Sequence, residues 1–415
     1  LEKGPAFGGG DRQIADSDDL RDQWPAFRHD NSRSGAVDTP VAATLKPVWK
    51  AELGGRLSAP TVAAGRLFVA QVDQHQVVCL DAHSGTRLWD FTVGARVDSP
   101  PTYHGGSVLF GARDGWLYCL DATSGRLAWR YHVAPCQRWM GAFGQLESAW
   151  PIHGSVLVQD DTVYCAAGRS SQLDGGIYLV GLDVASGRLK YATNLEGPHY
   201  TVENVAENYN LPMGALPDIL VSDGKHIYMR SLAYSPELEH VSGKPDLEVS
   251  GGYLEDSYFK RTPWRMGKGD YGRMLVHDKQ SAYYVRQFDS LQGLDPTVFF
   301  TPGQQGYLLF ANNLSQRGNS WRTRVPVRIR AMVLAQNQLL VAGPPDQIDP
   351  QDPLGAFEGR RGGQLWVFDT ETGEVRAKHE LDSPPVFNGT AAADQQLYLV
   401  DEQGQIICFG ADGDG

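Results

Sequence analysis

Short runs of alternating apolar and polar residues recur along the chain, and glycine- and aspartate-bearing turns interrupt them. LYCLD, ending at Asp121, is one such run, and its period of two predicts a β-strand. Longer matches surround these runs. VVCLDAHSGTRLWDF and LYCLDATSGRLAWRY share an LDAxSG core, opened by Leu80 and Leu120, which lie 40 residues apart. LDVASGRLKY follows from Leu182 and FDTETGEVRA from Phe368. A strand–turn–strand unit repeated at this spacing predicts the blades of a β-propeller.

Each copy has the same physical logic. The aspartate can accept a hydrogen bond from the backbone two residues on. Gly85, Gly125, Gly187 and Gly373 supply a left-handed backbone conformation. An aromatic follows on the next strand, Trp89, Trp129 or Tyr191, with enough area to pack between neighbouring blades.

Counting outward predicts an all-β chain: a single seven-bladed β-propeller of four-stranded blades. The units start near Leu57, Asp98, Ser148, Ala215, Tyr271, Arg328 and Pro385. The last unit ends at IICFG and lacks an outer strand. LKPVWKAEL, Leu45 to Leu53, resembles the outer strands and is expected to close the ring by completing the last blade. The expected organisation is a tail and lead-in over 1–44, the propeller over 45–410 and a short tail over 411–415.

Composition alters this picture little. The chain has 415 residues, 41% hydrophobic and 21% charged, as folded globular proteins do. Its net charge of −12 argues against nucleic acid as a partner, because a polyanion is repelled. No apolar run is long enough for a transmembrane helix. The first twenty residues are polar, without an apolar signal core or an initiator methionine, so a processed chain is expected. Cys79, Cys119 and Cys408 occupy matching positions in their units and are expected to be buried packing residues. No metal site is expected from cysteine or histidine spacing.

The LDAxSGxxxW turn resembles the repeat of the PQQ-like (quinoprotein-type) propeller family. That family includes quinoprotein alcohol dehydrogenases and the barrel-assembly lipoprotein of the bacterial outer membrane. WPAFRHDNSRSG, from Trp24, resembles the lead-in of exported bacterial members. The resemblance implies a periplasmic or secreted location, within a bacterial subgroup of unassigned activity. The family's enzymes carry an adjacent cysteine pair and a calcium ion; here no two cysteines adjoin, so PQQ with calcium is not expected.

The predicted loop lengths are uneven. First-to-second and third-to-fourth turns are short. GRSSQLDGG, the stretch from Ser231 to Arg265, and GPPDQIDPQDPLGAFEGRRGG are long second-to-third connections, and 134–150 and 197–217 are long fourth-to-first ones. All would project from one face, the usual placement of a site on a rigid ring. These segments and the blade ends beside them hold the candidate binding residues Arg138, Trp150, Arg169, Asp218, Arg230, Asp256, Arg261, Arg330, Asp346 and Asn388. His153, Tyr258 and Glu147 are the candidate catalytic groups. Guanidinium groups bind carboxylates through paired donors, and aromatic faces stack on sugars. A carbohydrate-like, anionic ligand is therefore expected. If the chain is an enzyme, a polysaccharide lyase comes first and a quinoprotein dehydrogenase second; a non-catalytic scaffold for a protein partner is the other reading. Each residue also has a purely structural alternative, since Arg–Asp pairs pin long loops and tryptophans pack between blades.

Overall fold

A computed structural model describes residues 1–8, 20–197, 214–217, 219–249, 264–266, 270–286, 306–315 and 318–412. Its strands follow one another as antiparallel meanders. Blade one holds Thr61–Ala63, Arg66–Gln71, Gln76–Asp81 and Arg87–Thr92; blade two holds Thr102–His104, Ser107–Gly111, Trp116–Asp121 and Leu127–His132. Blade three holds Leu157–Gln159, Thr162–Ala167, Ile177–Asp183 and Leu189–Leu195; blade four holds Leu220–Ser222, Ile227–Met229, Leu232–Tyr234 and His240–Val241. Leu247–Glu248, Trp264–Met266 and Asp270–Gly272 form a three-stranded sheet, blade five. Blade six holds Met274–His277, Ser281–Arg286, Tyr307–Asn313 and Asn319–Val325; blade seven holds Ala331–Ala335, Gln338–Gly343, Gly363–Asp369 and Val375–Leu381. Blade eight holds Pro385–Ala393, Gln396–Asp401 and Gln405–Ala411, with Leu45–Glu52 pairing antiparallel to the last of these.

The expected seven blades are thereby corrected to eight, counting sheets of three or more strands among the described residues. The additional sheet lies where the sequence reads as an insertion of a four-stranded unit. Its strands are two or three residues long, too short to show an alternating pattern, and it has no LDxxSG turn. Packing gives it its place. Leu247 and Trp264 share one apolar cluster with Val221 and Tyr228 of blade four and Leu275 and Tyr284 of blade six. The connection after Arg230 is also not the long second-to-third loop expected, because the chain turns there at once into Leu232–Tyr234.

One repeated clamp joins consecutive blades. Trp49 Nε1 donates to Ala82 O at 3.0 Å, Trp89 to Ala122 O at 3.0 Å, Trp129 to Val184 O at 2.9 Å and Trp321 to Thr370 O at 2.9 Å. In each case an outer-strand indole reaches the carbonyl just past the turn aspartate of the next blade. The turn glycine is needed twice over. Gly125 sits at φ +68°, and a Cβ there would stand 2.5 Å from the Trp89 ring. Cys79, Cys119 and Cys408 are fully buried between strands.

The lead-in segment does not hang free. Trp24 N donates to Val62 O at 2.7 Å in blade one, and Tyr103 N of blade two donates to Pro25 O at 2.7 Å. Asn31 Nδ2 donates to Val158 O at 2.6 Å in blade three, and Ser222 N of blade four to Asn31 O at 2.8 Å. His277 N of blade six donates to Ser34 O at 2.9 Å; Ala36–Val37 runs parallel to the inner strand of blade seven; Gln395 N of blade eight donates to Thr39 Oγ1 at 2.9 Å. Residues 24–39 thus touch the inner strand, or its adjoining turn, in every four-stranded blade. Most of these contacts lie near the first-to-second turns, so the segment caps the axis on the face opposite the long loops. Arg33, fully buried, is satisfied by the carbonyls of Leu220, at 3.0 Å, and Phe27, at 3.1 Å.

Candidate functional site

The long-loop face carries two groups of charged residues. The first lies around blades two and three. Arg138 and Arg169 both pair with Asp174, the former at 2.9 Å, and Trp150 Nε1 donates to the Asp174 carbonyl at 2.9 Å. Arg169 Nε also donates to Ala149 O at 3.3 Å. These contacts tie the 134–150 connection to the 168–176 loop. Glu147 is buried against Arg96, whose Nε donates to it at 2.7 Å. That pair anchors a hairpin of Trp139–Ala142 and Gln145–Ser148, and Phe143 at its tip lies 4.2 Å from the Arg96 guanidinium.

His153 Nδ1 lies 2.7 Å from Asp98 Oδ2, and Nε2 lies 2.9 Å from Pro217 O. Both ring nitrogens are therefore engaged by oxygens of the protein itself. Burial opposes ionisation of Asp98. The charges of His153 and Arg113, with donation from His153 and Gly154 N, outweigh it and hold the carboxyl far below the usual range.

The second group lies at blades six to eight. Arg328 and Arg330 stand just before the inner strand of blade seven, and Arg273 just before that of blade six. All three guanidiniums are electrostatically coupled, with Asp346 and Glu402 as their acidic neighbours. Burial pushes the Arg328 guanidinium down to about 8, and the Arg330 charge pushes the same way, against Asp346 and Glu402. Burial lowers Arg273 as well, while burial raises Glu402 against the pull of Arg330. The 344–362 loop roofs this cluster. The Phe357 ring lies 4.1 Å from the Arg328 guanidinium, and Phe357 O accepts from Arg330 Nη2 at 3.0 Å. A cavity of about 510 Å³ shares Glu402 with this cluster and is otherwise walled by residues that include Gln403, Phe387, Glu358, Arg360 and Arg56. Asn388, at φ +55°, has its N–H on Arg330 O at 2.9 Å.

Residues 34–231 match the family described as outer membrane protein assembly factor BamB. The match spans just under half of the chain and agrees with the repeated sheets and their tryptophan clamps. The chain is similar to the PQQ-like propeller family. Several solved propellers are similar in fold at low identity. A quinohemoprotein alcohol dehydrogenase from Comamonas testosteroni is 13% identical, with a TM-score of 0.61 over 97% of this chain and 83% of its own. A europium-containing methanol dehydrogenase is 11% identical, with a TM-score of 0.59 over 94% of this chain and 98% of its own. BamB from Moraxella catarrhalis is 12% identical, with a TM-score of 0.51 over 89% of this chain and 100% of its own. No curated protein matches the sequence.

This PQQ-like propeller gathers some of the sequence-predicted residues and separates others. Arg138, Trp150 and Arg169 converge on Asp174. Arg330, Asp346 and Asn388 belong to the second group. Arg230 is elsewhere, 3.8 Å from Glu248 of blade five. Asp218, Asp256, Tyr258 and Arg261 lie outside the described residues. Sequence reasoning missed Arg28, Arg96, Asp98, Arg273, Phe357 and Glu402 as site members. The dense run of Arg, His, Asp, Asn and Ser in FRHDNSRSG was the available signal for Arg28, since so many hydrogen-bonding side chains suit a segment threaded through a core.

No helix among the described residues is long and apolar enough to cross a membrane.

Proposed function

We propose that this chain is an exported propeller that recognises a carboxylate-bearing, carbohydrate-like ligand on its long-loop face, with Arg328 and Arg330 supplying the charge. One observation carries the reading: Arg328 and Arg330 are buried together, with Arg273 near by, and Asp346 and Glu402 are acidic neighbours of the group among the described residues. Guanidinium groups gathered in this way suit a carboxylate, which accepts paired, charge-assisted hydrogen bonds from them. The adjoining cavity of about 510 Å³ is large enough for a sugar acid or a short oligomer of one. Glu402 and Phe357 O, the present partners of Arg330, are groups that a ligand carboxylate can replace. Lyase turnover is not part of the proposal. His153 and Glu147 are committed to their own partners, and the third candidate lies outside the described residues.

The deciding experiment is calorimetric titration with glucuronate and galacturonate oligomers, beside neutral oligomers of the same length. Binding of the acidic series, lost in Arg330→Gln, is expected. Equal binding of both series, or of neither, overturns the proposal.

A second reading, a PQQ-type oxidoreductase, draws support from the fold likeness to quinoprotein dehydrogenases. Arg273, Arg328 and Arg330 would suit the carboxylates of PQQ, a redox group that accepts electrons from an alcohol when bound. The calcium that accompanies it has no match among the described residues, where no group of three His, Cys, Asp or Glu side chains is placed to hold a metal. Dye reduction with an alcohol after addition of PQQ and calcium would establish this reading.

A further inference from the structure

A cavity of about 840 Å³ opens on the face that the 24–39 segment caps, away from the arginine cluster. The segment supplies one side of it, through Asp30, Val37 and Asp38. The first-to-second turns of blades four and six, with Asp223 and Asp278, and the lead into blade five, with Asp246, supply much of the rest. Five aspartates thus line it against two basic side chains, Arg21 and Lys279. A concave surface with such a balance focuses a negative field and draws cations.

Local structure uses some of these acids and not others. Asp30 accepts from Ser34 Oγ at 2.7 Å and Ser32 Oγ at 2.8 Å. Asp278 Oδ1 holds its own turn, accepting from Gln280 N and Ser281 N at 2.7 Å each. Among the described residues, Asp278 Oδ2 and the carboxylates of Asp38 and Asp246 make no hydrogen bond or ion pair. A second observation is independent of the acids. His277 lines the same cavity and is 8% exposed, and its Nε2 has no hydrogen-bond partner among the described residues. His29, also on the wall, has its Nε2 in the same condition. Buried polar atoms are ordinarily paired. Burial, with the charge of Arg28, lowers the His277 pKa against the pull of Asp30, and a neutral imidazole has one acceptor nitrogen to offer. Among the described residues no group of three His, Cys, Asp or Glu side chains is placed to hold a metal ion, so the cation is one carried on an organic ligand. Val37, Leu247 and Leu334 add apolar stretches of wall, which suit methylene groups between the charges.

We propose that this cavity is a binding site for an aliphatic polyamine. Asp38, Asp246 and Asp278 take its ammonium groups in charge-assisted hydrogen bonds, His277 accepts from the one that enters deepest, and Val37, Leu247 and Leu334 cover the chain between them.

Calorimetric titration of the full chain with spermidine, beside a diol of the same chain length, tests it. Spermidine is expected to bind and the diol not; equal binding of the two, or of neither, overturns the proposal. Asp246→Asn with Asp278→Asn removes two charges and keeps an oxygen acceptor for the turn. This pair should weaken spermidine binding at least about tenfold. Asp90→Asn with Asp382→Asn makes the same change in net charge on exposed acids outside the cavity. It should leave the affinity within about twofold of the parent's. Equal weakening by both pairs reads as attraction to the chain's overall charge and overturns the site. On the parent chain, spermidine should slow hydrogen exchange in residues 32–38 and 277–281. Protection confined to other segments overturns the placement. The titration uses no acidic sugar, so its outcome is separate from that of the arginine site.

Discussion

Asn388 Oδ1 accepts a hydrogen bond from Arg28 Nη1 at 2.8 Å, which links the segment capping one face of the ring to the wall of the arginine cluster on the other. The same asparagine donates its backbone N–H to Arg330 O. Arg28 also donates to Leu275 O and lies 4.3 Å from the Trp264 ring. Burial pushes its guanidinium down to about 9, against the pull of Asp30.

Asn388 sits at φ +55°, where alanine is strained and glycine is not. Asn388→Ala should lower stability by about 2–3 kcal/mol, combining the lost hydrogen bond with the backbone cost. Asn388→Gly should recover about 1 kcal/mol of that. Urea melts of the two variants measure the difference.

Arg33→Met tests the capping segment. The guanidinium satisfies carbonyls of blade four and of the segment itself. Its removal should cost about 3 kcal/mol, since buried acceptors lose their donors. Hydrogen exchange should then rise in residues 24–37 before it rises in the blades.

Gly125→Ala drives a methyl group into the Trp89 indole. The expected loss is about 2–4 kcal/mol, from the left-handed backbone and the clash together. Trp89→Ala in the same chain removes the clash, so the two losses should fall short of additive by about 1 kcal/mol. A double-mutant cycle by chemical denaturation reads this coupling.

The Asp98 carboxyl has its folded pKa held below its unfolded value. Its contribution is present above the unfolded value of about 4 and is lost as pH falls through the folded one. Stability should therefore decline with acid below about pH 4. Asp98→Asn should lose about 3 kcal/mol at neutral pH, leaving Arg113 and His153 underpaired, and show a shallower acid limb.

Arg328→Met removes a buried charge under Phe357. It should raise stability by about 1 kcal/mol while weakening uronate binding at least about tenfold, the opposition expected of a site held under electrostatic stress. Thermal melts with and without the acidic oligomer give both numbers.

Much of the fold was legible because blade-making is local. Strand alternation, the aspartate-anchored turn, its glycine and the following tryptophan all lie within about fifteen residues of each other, so four copies of the unit declared themselves in the chain alone. The closing role of Leu45 to Leu53 followed from its likeness to other outer strands. Blade five was not legible, since strands of two or three residues owe their pairing to Trp264 and Leu247 packing between neighbours, not to any pattern of their own.

The site divided in the same way. The chain alone determined which residue types were at hand and that most long loops would share a face, because connection lengths and antiparallel order are one-dimensional facts. Only the tertiary structure decided that His153 is spent on Asp98, that Glu147 is spent on Arg96, and that Arg273, Arg328 and Arg330 share one buried pocket of charge. Those outcomes depend on contacts between blades far apart in sequence and on how much water each charge has lost, and neither quantity is written in the spacing of residues along the chain.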